Sequence, residues 1–179
     1  MASLTELEQV LYSHKHTGSD FTQPLNNLDM QVVGKVVLAT ASTNFSIAFA
    51  PKQFLRIIVQ WGAKSGSSDD YLRFNGDSGS NYTTTTGTSQ AQIDLRNGAN
   101  SALGAFSIIE VSNNLSSLVK PAFIHTVNRI TSAGTAISSF ALFASWVNTS
   151  AFLTSVSLTS SGVATYPAGS SITVFTTKE

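Results

Sequence analysis

The chain has 179 residues, enough for one domain with a sizeable core, and 42% of them are apolar. Only 11% are charged, and ten basic residues balance ten acidic ones, so the net formal charge is zero. A neutral chain has no field that attracts phosphates or anionic lipids, which argues against nucleic-acid and membrane-surface partners. Cysteine is absent, which excludes disulfides and thiolate metal sites.

The first residues predict a short helix. Ser3 and Glu6 have the spacing of a capping box, and an apolar stripe follows at helical spacing: Leu4, Leu7, Val10 and Leu11. So short a helix needs a surface to pack on, either its own domain or a neighbouring subunit. The acidic residues of this stretch and its lack of an apolar run argue against a signal peptide, and we expect synthesis in a cytoplasm.

Residues 13–29 contain Gly18, Asp20, Pro24 and Asn26, which favour turns, and predict an extended arm. We therefore expect two parts, an N-terminal helix and arm over residues 1–29 and a β-sandwich domain over residues 30–179.

From Met30 onward the apolar residues alternate with a period of two, which predicts strands. The expected strands are Gln31–Ala41, Phe45–Phe49, Phe54–Trp61, Asp70–Asn75, Gly104–Val111, Ala122–Ile130, Ser138–Val147, Phe152–Leu158 and Ser170–Thr176. The Thr-, Ser- and Gly-rich stretch Tyr82–Ala102 predicts a long loop with a short strand near Ile93. The fold class is all-β, a jelly-roll-like β-sandwich whose strand order the turn patterns leave open.

The sequence contains no motif of a nucleophile elbow, a phosphate loop or a zinc-protease helix. Serines without a base are surface groups, although ten acidic residues leave room for the carboxylate pair of a carbohydrate-active enzyme. His125 alternates with Phe123 and Val127 and so shares their apolar face, which predicts a core or interface histidine. We expect no enzymatic activity.

His14 and His16 are the candidate metal ligands. In an extended segment residues i and i+2 project to the same side, and two imidazoles do not saturate a transition metal. Three chains around a threefold axis would supply six, enough for octahedral coordination, so the pair has value as a metal site only in a trimer. The alternative is two solvent-exposed histidines in an arm, with no cofactor.

The loop Asn75–Asn81 alternates polar oxygens like a calcium loop, but it has Gly79 where an EF-hand needs a ligand and lacks the closing glutamate. Ordinary turn chemistry is the simpler interpretation. The phenylalanines and tryptophans on strands are expected in the core. A sugar-binding platform is the alternative for four aromatic residues, Trp61, Tyr71, Tyr82 and Tyr166.

Three stretches resemble structural proteins of tailed-phage virions. His14–Asp20 (HKHTGSD) is similar to a His-x-His-x-Gly-x-Asp segment near the start of many tail-fibre and virion proteins. Leu72–Tyr82 (LRFNGDSGSNY) is similar to a recurrent signature of minor virion domains, and Trp146–Phe175 to their closing strands. These domains end in Tyr-Gly, whereas this chain continues Phe175-Thr176-Thr177.

The resemblance implies a virion location, a jelly-roll-like sandwich and a homotrimer, and related fibre tips bind iron through paired histidines. One domain with one arm fits a capsid decoration (cement) protein, whose partner would be the major capsid protein and which would stabilise the assembled shell by mass action. The alternative is a tail-fibre or receptor-binding tip protein that recognises a host-surface glycan.

Overall fold

The computed structural model describes residues 30–85, 87–95, 104–128 and 138–177, and this part of the chain consists of strands and loops without a helix. Residues Gln31–Thr176 form one compact unit. The strands are β1 (Met30–Val37), β2 (Asn44–Ala48), β3 (Phe54–Trp61), β4 (Asp70–Phe74), β5 (Tyr82–Thr84), β6 (Gly87–Gln90), β7 (Ile93–Asp94), β8 (Ala105–Ser112), β9 (Lys120–Asn128), β10 (Ser138–Trp146), β11 (Ser155–Ser160) and β12 (Ser171–Thr177).

These strands form two sheets with the strand order of a jelly roll. The large sheet has the order β1-β12-β3-β8-β9-β10-β5-β6 and the small sheet the order β2-β11-β4-β7. The chain crosses between the sheets within four pairs of consecutive strands: β1 and β2, β3 and β4, β7 and β8, and β11 and β12. This gives the two interleaved Greek keys of a jelly roll. Two hairpins extend the large sheet beyond β8: β9 and β10, which follow β8 in the chain, and β5 and β6, which come between β4 and β7.

Alternation of side chains explains why these segments form strands in a sandwich. In β3 the side chains of Leu55, Ile57, Val59 and Trp61 are buried, and those between them are not. The same period of two holds in β8, β11 and β12. Each sheet therefore contributes one face to a shared core.

Two aromatic clusters fill the opposite ends of this core. At one end Tyr166 packs edge-on against Phe45 and Trp61, with ring centroids 5.4 and 6.2 Å away. At the other end Phe74 lies 6.2 Å from both Tyr82 and Trp146. Aromatic side chains bury the largest areas in a core, so these clusters hold the two sheets together at both ends.

A buried ion pair accompanies the first cluster. The side chains of Lys64 and Asp70 are fully inaccessible, and the ammonium lies 2.9 Å from the carboxylate. Tyr166 donates its hydroxyl hydrogen to the same carboxylate oxygen at 2.9 Å, and Lys64 donates to Ser68, whose hydroxyl lies 2.5 Å from that of Ser160. Because Lys64 precedes β4, Asp70 begins it, and Tyr166 precedes β12, the network fixes loops from distant parts of the chain.

The all-β sandwich predicted from the sequence is confirmed, and β3 has its predicted bounds. The predicted loop over Tyr82–Ala102 is wrong in part, because β5 and β6 lie within it, whereas the short strand predicted near Ile93 is confirmed as β7. The strand predicted over Phe152–Leu158 begins at Ser155 instead, since the backbone N–H groups of Leu153 and Thr154 donate to the side-chain oxygens of Asn113 and Asn75. The predicted N-terminal helix and arm, residues 1–29, lie outside the described residues.

The buried pair generates a stability prediction. Asp70→Asn keeps an acceptor for Tyr166 but leaves the Lys64 charge uncompensated, so we expect the free energy of unfolding to fall by about 3–5 kcal/mol. The double variant Lys64→Met/Asp70→Asn should recover part of that loss because no charge stays buried. Urea denaturation measures both, with the exposed Lys35→Met as the matched control at less than about 0.5 kcal/mol. Equal losses in the single and double variants would contradict the ion-pair argument.

Candidate functional site

The surface most suited to binding is the outer face of the large sheet. We define the outer face as the outward-pointing side chains of β12, β3, β8, β9, β10 and β5, which alternate with the buried ones. Their most apolar members are Phe54, Ile58, Phe106, Ile108, Phe123, Val127, Ala141, Phe143 and Phe175.

The strand registers align these side chains in rows across the sheet. Ile58 on β3 lies opposite Ile108 on β8, which lies opposite His125 on β9. Phe123 on β9 lies opposite Phe143 on β10. Side chains directly opposite each other in antiparallel strands are close enough to pack, so the apolar residues form contacting groups, with His125 and Glu110 lying among them.

An aromatic pair marks one end of the outer face. The rings of Phe123 and Phe143 are 5.2 Å apart between centroids, and Phe143 is 63% exposed. Together with Phe54, Pro121 and the threonines of β5 they line a groove of about 570 Å³. Exposed apolar surfaces of this kind are typical of interaction sites.

The charges of the outer face cancel within it. The Arg56 guanidinium donates through Nε to the Glu110 carboxylate at 2.9 Å and also donates through Nη2 to the same oxygen. Both side chains are partly exposed, so the pair contributes little to stability. His125 is exposed between Ile108 and Ala141. His125 shares a face with Phe123 and Val127 as predicted, but that face points outward, so the core alternative for His125 is wrong.

The predicted metal ligands His14 and His16 lie outside the described residues. Within residues 30–85, 87–95, 104–128 and 138–177, no group of three or more His, Asp or Glu side chains could hold a metal ion. Nor does this part of the chain contain a helix long and apolar enough to cross a membrane.

The sugar-platform alternative is wrong for three of its four aromatic residues. Trp61, Tyr82 and Tyr166 are buried in the core clusters. Tyr71 is half-buried, and its hydroxyl donates to Asp69 at 3.2 Å. Burial, together with the charges of Asp69 and Asp94, raises the pKa of the Tyr71 phenol above its usual value of 10.0.

Tyr71 also lines a small polar pocket between β4 and β5. This pocket has a volume of about 180 Å³, and its other polar side chains are Thr84, Gln90, Gln92 and Asp94. Amide, hydroxyl and carboxylate groups beside an aromatic ring can bind a sugar through its hydroxyls and its apolar face.

The segment with the Phe-Asn-Gly-Asp sequence proves to be a structural turn. Asn75 and Gly76 have φ of 53° and 65°, and the Asp77 N–H donates to the Phe74 carbonyl at 2.9 Å, as in a type I′ turn. The Asn75 side chain accepts from the backbone N–H groups of Thr154 and Ser155. This joins the turn to the start of β11.

Asp77 joins the two sheets through its carboxylate. The Trp146 indole donates to Oδ2 at 2.7 Å, the Gly79 N–H donates to Oδ1 at 2.9 Å, and the Asn81 amide donates to both oxygens. Burial alone would raise the pKa of Asp77, but the three donors outweigh burial and lower the pKa below 3.8. The carboxylate is thus occupied by protein donors, which favours turn chemistry over the calcium-loop interpretation.

No family model, curated protein or solved structure matches this chain. The outer face itself was not predicted from the sequence, because aromatic residues on strands were assigned to the core. The signal for it was present in β10, where Phe140, Leu142 and Phe143 place apolar residues on both faces of one strand. Such a strand indicates that both faces of its sheet meet apolar surroundings.

Asp77→Asn tests the turn. An amide cannot accept from Trp146, Gly79 and Asn81 together, so we expect a loss of about 1–3 kcal/mol in the free energy of unfolding at neutral pH. The pKa of Asp77 is lower in the folded state than in the unfolded state. The stability that its ionised carboxylate contributes is therefore complete above pH 3.8 and is lost as the pH falls through the folded-state pKa. Urea denaturation from pH 7 to pH 2 should show this acid-dependent loss in the wild type and a weaker one in the variant.

Trp146→Phe is the matched control, since it keeps a ring against Phe74 and removes one donor to Asp77. It should show a smaller shift of the acid transition than Asp77→Asn. An acid transition of the same midpoint and size in wild type and Asp77→Asn would contradict the role of the carboxylate.

Proposed function

We propose that this protein is a non-enzymatic structural protein of a bacteriophage virion, a homotrimer that binds the major capsid protein and stabilises the assembled shell as a decoration protein. The observation that carries the proposal is the outer face, a wide apolar and neutral surface on a jelly-roll sandwich. A wide apolar sheet surface that is uncovered in the single chain suits assembly into a larger particle.

The composition supports the same function. Charged residues are 11% of the chain, and Ser, Thr, Asn and Gln supply the polar surface instead. Contacts between subunits remove surface from water, and uncharged polar groups cost less to desolvate than ammonium or carboxylate groups. We propose a virion as the larger particle because three stretches resemble virion proteins: His14–Asp20, Leu72–Tyr82 and Trp146–Phe175.

The polar pocket supports a second candidate function, a tail-fibre or receptor-binding tip protein that recognises a host-surface glycan. Tyr71 would stack on a sugar ring, and Gln90, Gln92 and Asp94 would bind its hydroxyls. The pocket is small, so it would hold one sugar unit at the end of a glycan.

The number of copies per particle distinguishes the two functions. A decoration protein covers the shell, so its band on a gel of purified particles should approach the major capsid protein in molar amount. A band of only a few copies per particle would contradict the decoration role and favour the fibre tip.

Particles that lack the protein provide the functional test. Because a decoration protein binds the assembled shell and not its free subunits, its removal should lower the temperature at which particles lose infectivity. Adding back the purified protein should restore that temperature. Equal heat resistance with and without the protein would overturn the proposed function.

A further inference from the structure

We propose that the N-terminal segment of one copy of this chain packs into the groove beside Phe123 and Phe143 on the next copy, and that three copies close into a ring through this contact. The part of the segment that fills the groove is its apolar stripe, Leu4, Leu7, Val10 and Leu11. This inference rests on the proposed function, because it names the contact that joins the copies of the homotrimer.

The groove has the polarity of a binding site for an apolar helix face. Its volume is about 570 Å³, and Phe54, Pro121 and the two exposed phenylalanine rings line it. Among the described residues that line it, Glu110 is the one ionisable residue, and Arg56 donates to the Glu110 carboxylate at 2.9 Å. The groove therefore offers apolar contact to its occupant, and its one charge is already paired.

The apolar stripe has the spacing and the length that suit this groove. Leu4, Leu7 and Leu11 occupy positions i, i+3 and i+7, the spacing by which an amphipathic helix anchors in an apolar groove. A helix over residues 3–11 would be about 14 Å long at about 1.5 Å per residue. The groove residues lie on five adjacent strands, from β3 through β8, β9 and β10 to β5, which span about 19 Å at about 4.8 Å spacing. The groove is therefore long enough to hold the helix across the strands.

The segment joins the sandwich at the end of the large sheet where the groove lies. Leu38 directly follows β1, and its backbone N–H donates to the Ser170 carbonyl just before β12. Since β1 and β12 extend from this point side by side, the start of β1 lies beside the end of β12. That end of β12 pairs with the start of β3, where Phe54 lines the groove.

The connection between the stripe and β1 is long enough to reach a neighbouring copy. It consists of residues 12–29, which span up to about 60 Å when extended. The groove of the same copy is centred four to five strand spacings from β1, or about 19–24 Å at about 4.8 Å each. Pro24 favours an extended backbone at the residue before it. The connection is thus more than twice as long as the path to its own groove.

A contact between a segment and a groove is consistent with a trimer. The two surfaces differ, so the contact is heterologous, and heterologous contacts form a closed ring when the rotation between copies closes. With a rotation of about 120° each copy gives one segment and receives one, so that every stripe and every groove is covered.

The test is the solution mass of the purified full-length chain, measured by light scattering over a range of concentrations. The wild type should have about three times the 18.9 kDa of one chain. Leu7→Asp places a charge at the centre of the stripe, and Phe143→Asp places one in the groove. Each should weaken association at least about 30-fold, as loss of a central contact does. Far-UV circular dichroism should show that both monomers are folded.

Each variant has a matched control that adds the same charge elsewhere. Thr5 lies on the side of the predicted helix opposite the stripe, so Thr5→Asp should keep the wild-type mass. Val163 is 94% exposed and is not among the residues that line the groove, so Val163→Asp should keep it too. A monomeric wild type, or a Leu7→Asp trimer as stable as the wild type, would overturn the contact.

A mixture of the two variants shows whether the segment of one copy fills the groove of another. Leu7→Asp keeps an intact groove and Phe143→Asp keeps an intact segment. Equal amounts of both should therefore form a one-to-one pair with about twice the 18.9 kDa of one chain. A mixture that contains only monomers would contradict a contact between the segment of one copy and the groove of another.

Failure of this inference and failure of the proposed function give different results. If Leu7→Asp leaves the trimer intact while particles without the protein are heat-sensitive, the contact is wrong and the virion role stands. If Leu7→Asp dissociates the trimer but particles without the protein are as heat-resistant as the wild type, the contact stands and the decoration role fails.

Discussion

The hydrogen bond from the Trp146 indole to Asp77 is the contact on which the arrangement of both sheets depends. Asp77 lies three residues after the end of β4 in the small sheet, while Trp146 ends β10 in the large sheet. Tyr82 begins β5, and its hydroxyl accepts from the Phe74 N–H and donates to the Asp77 carbonyl. Burial raises the pKa of Tyr82 to about 12, so the hydroxyl stays protonated and able to donate. This junction gives the connection from β4 to β5 a fixed point at which the chain crosses from the small sheet to the large one.

A buried lysine completes the junction on its other side. The Lys120 ammonium lies 5.5 Å from the centroid of the Trp146 ring and donates to the carbonyls of Ser116 and Asn148 at 2.7 Å each. Burial lowers the pKa of Lys120. At the opposite end of the core Lys64, Asp70 and Tyr166 form the same combination of a lysine, an aspartate and an aromatic ring. With few charges available, the chain places two of its lysines and two of its aspartates at the ends of the core, where they fix loops.

The strong strands could be predicted from the sequence because alternation alone determines them, as in Phe54–Trp61. Strand β5 could not, since Tyr82 is its one bulky apolar residue and the threonines that follow are as common in loops. The sequence allowed a surface position for three residues that lie in the core, Trp61, Tyr82 and Tyr166. An aromatic ring with a polar tip suits both the core and the surface, and the burial of these rings depends on residues far away in the sequence. Alternation also does not show which face of a sheet is covered, so Phe123 and Phe143 were expected in the core, and the groove they line was not predicted.

The outer face follows from the same topology. Strands β1, β12, β3 and β8 alone form the four-stranded half of a jelly roll, and β9, β10 and β5 widen the apolar surface beyond it. That widening depends on the junction, because Trp146 and Lys120 are paired residues at the ends of β10 and β9. Ala141 lies two residues from the protruding Phe143 on the same face, so a large side chain stands beside a small one. Any surface that covers the outer face has to leave space for Phe143 and fill the space above Ala141, because the alternation of β10 fixes both side chains on that face.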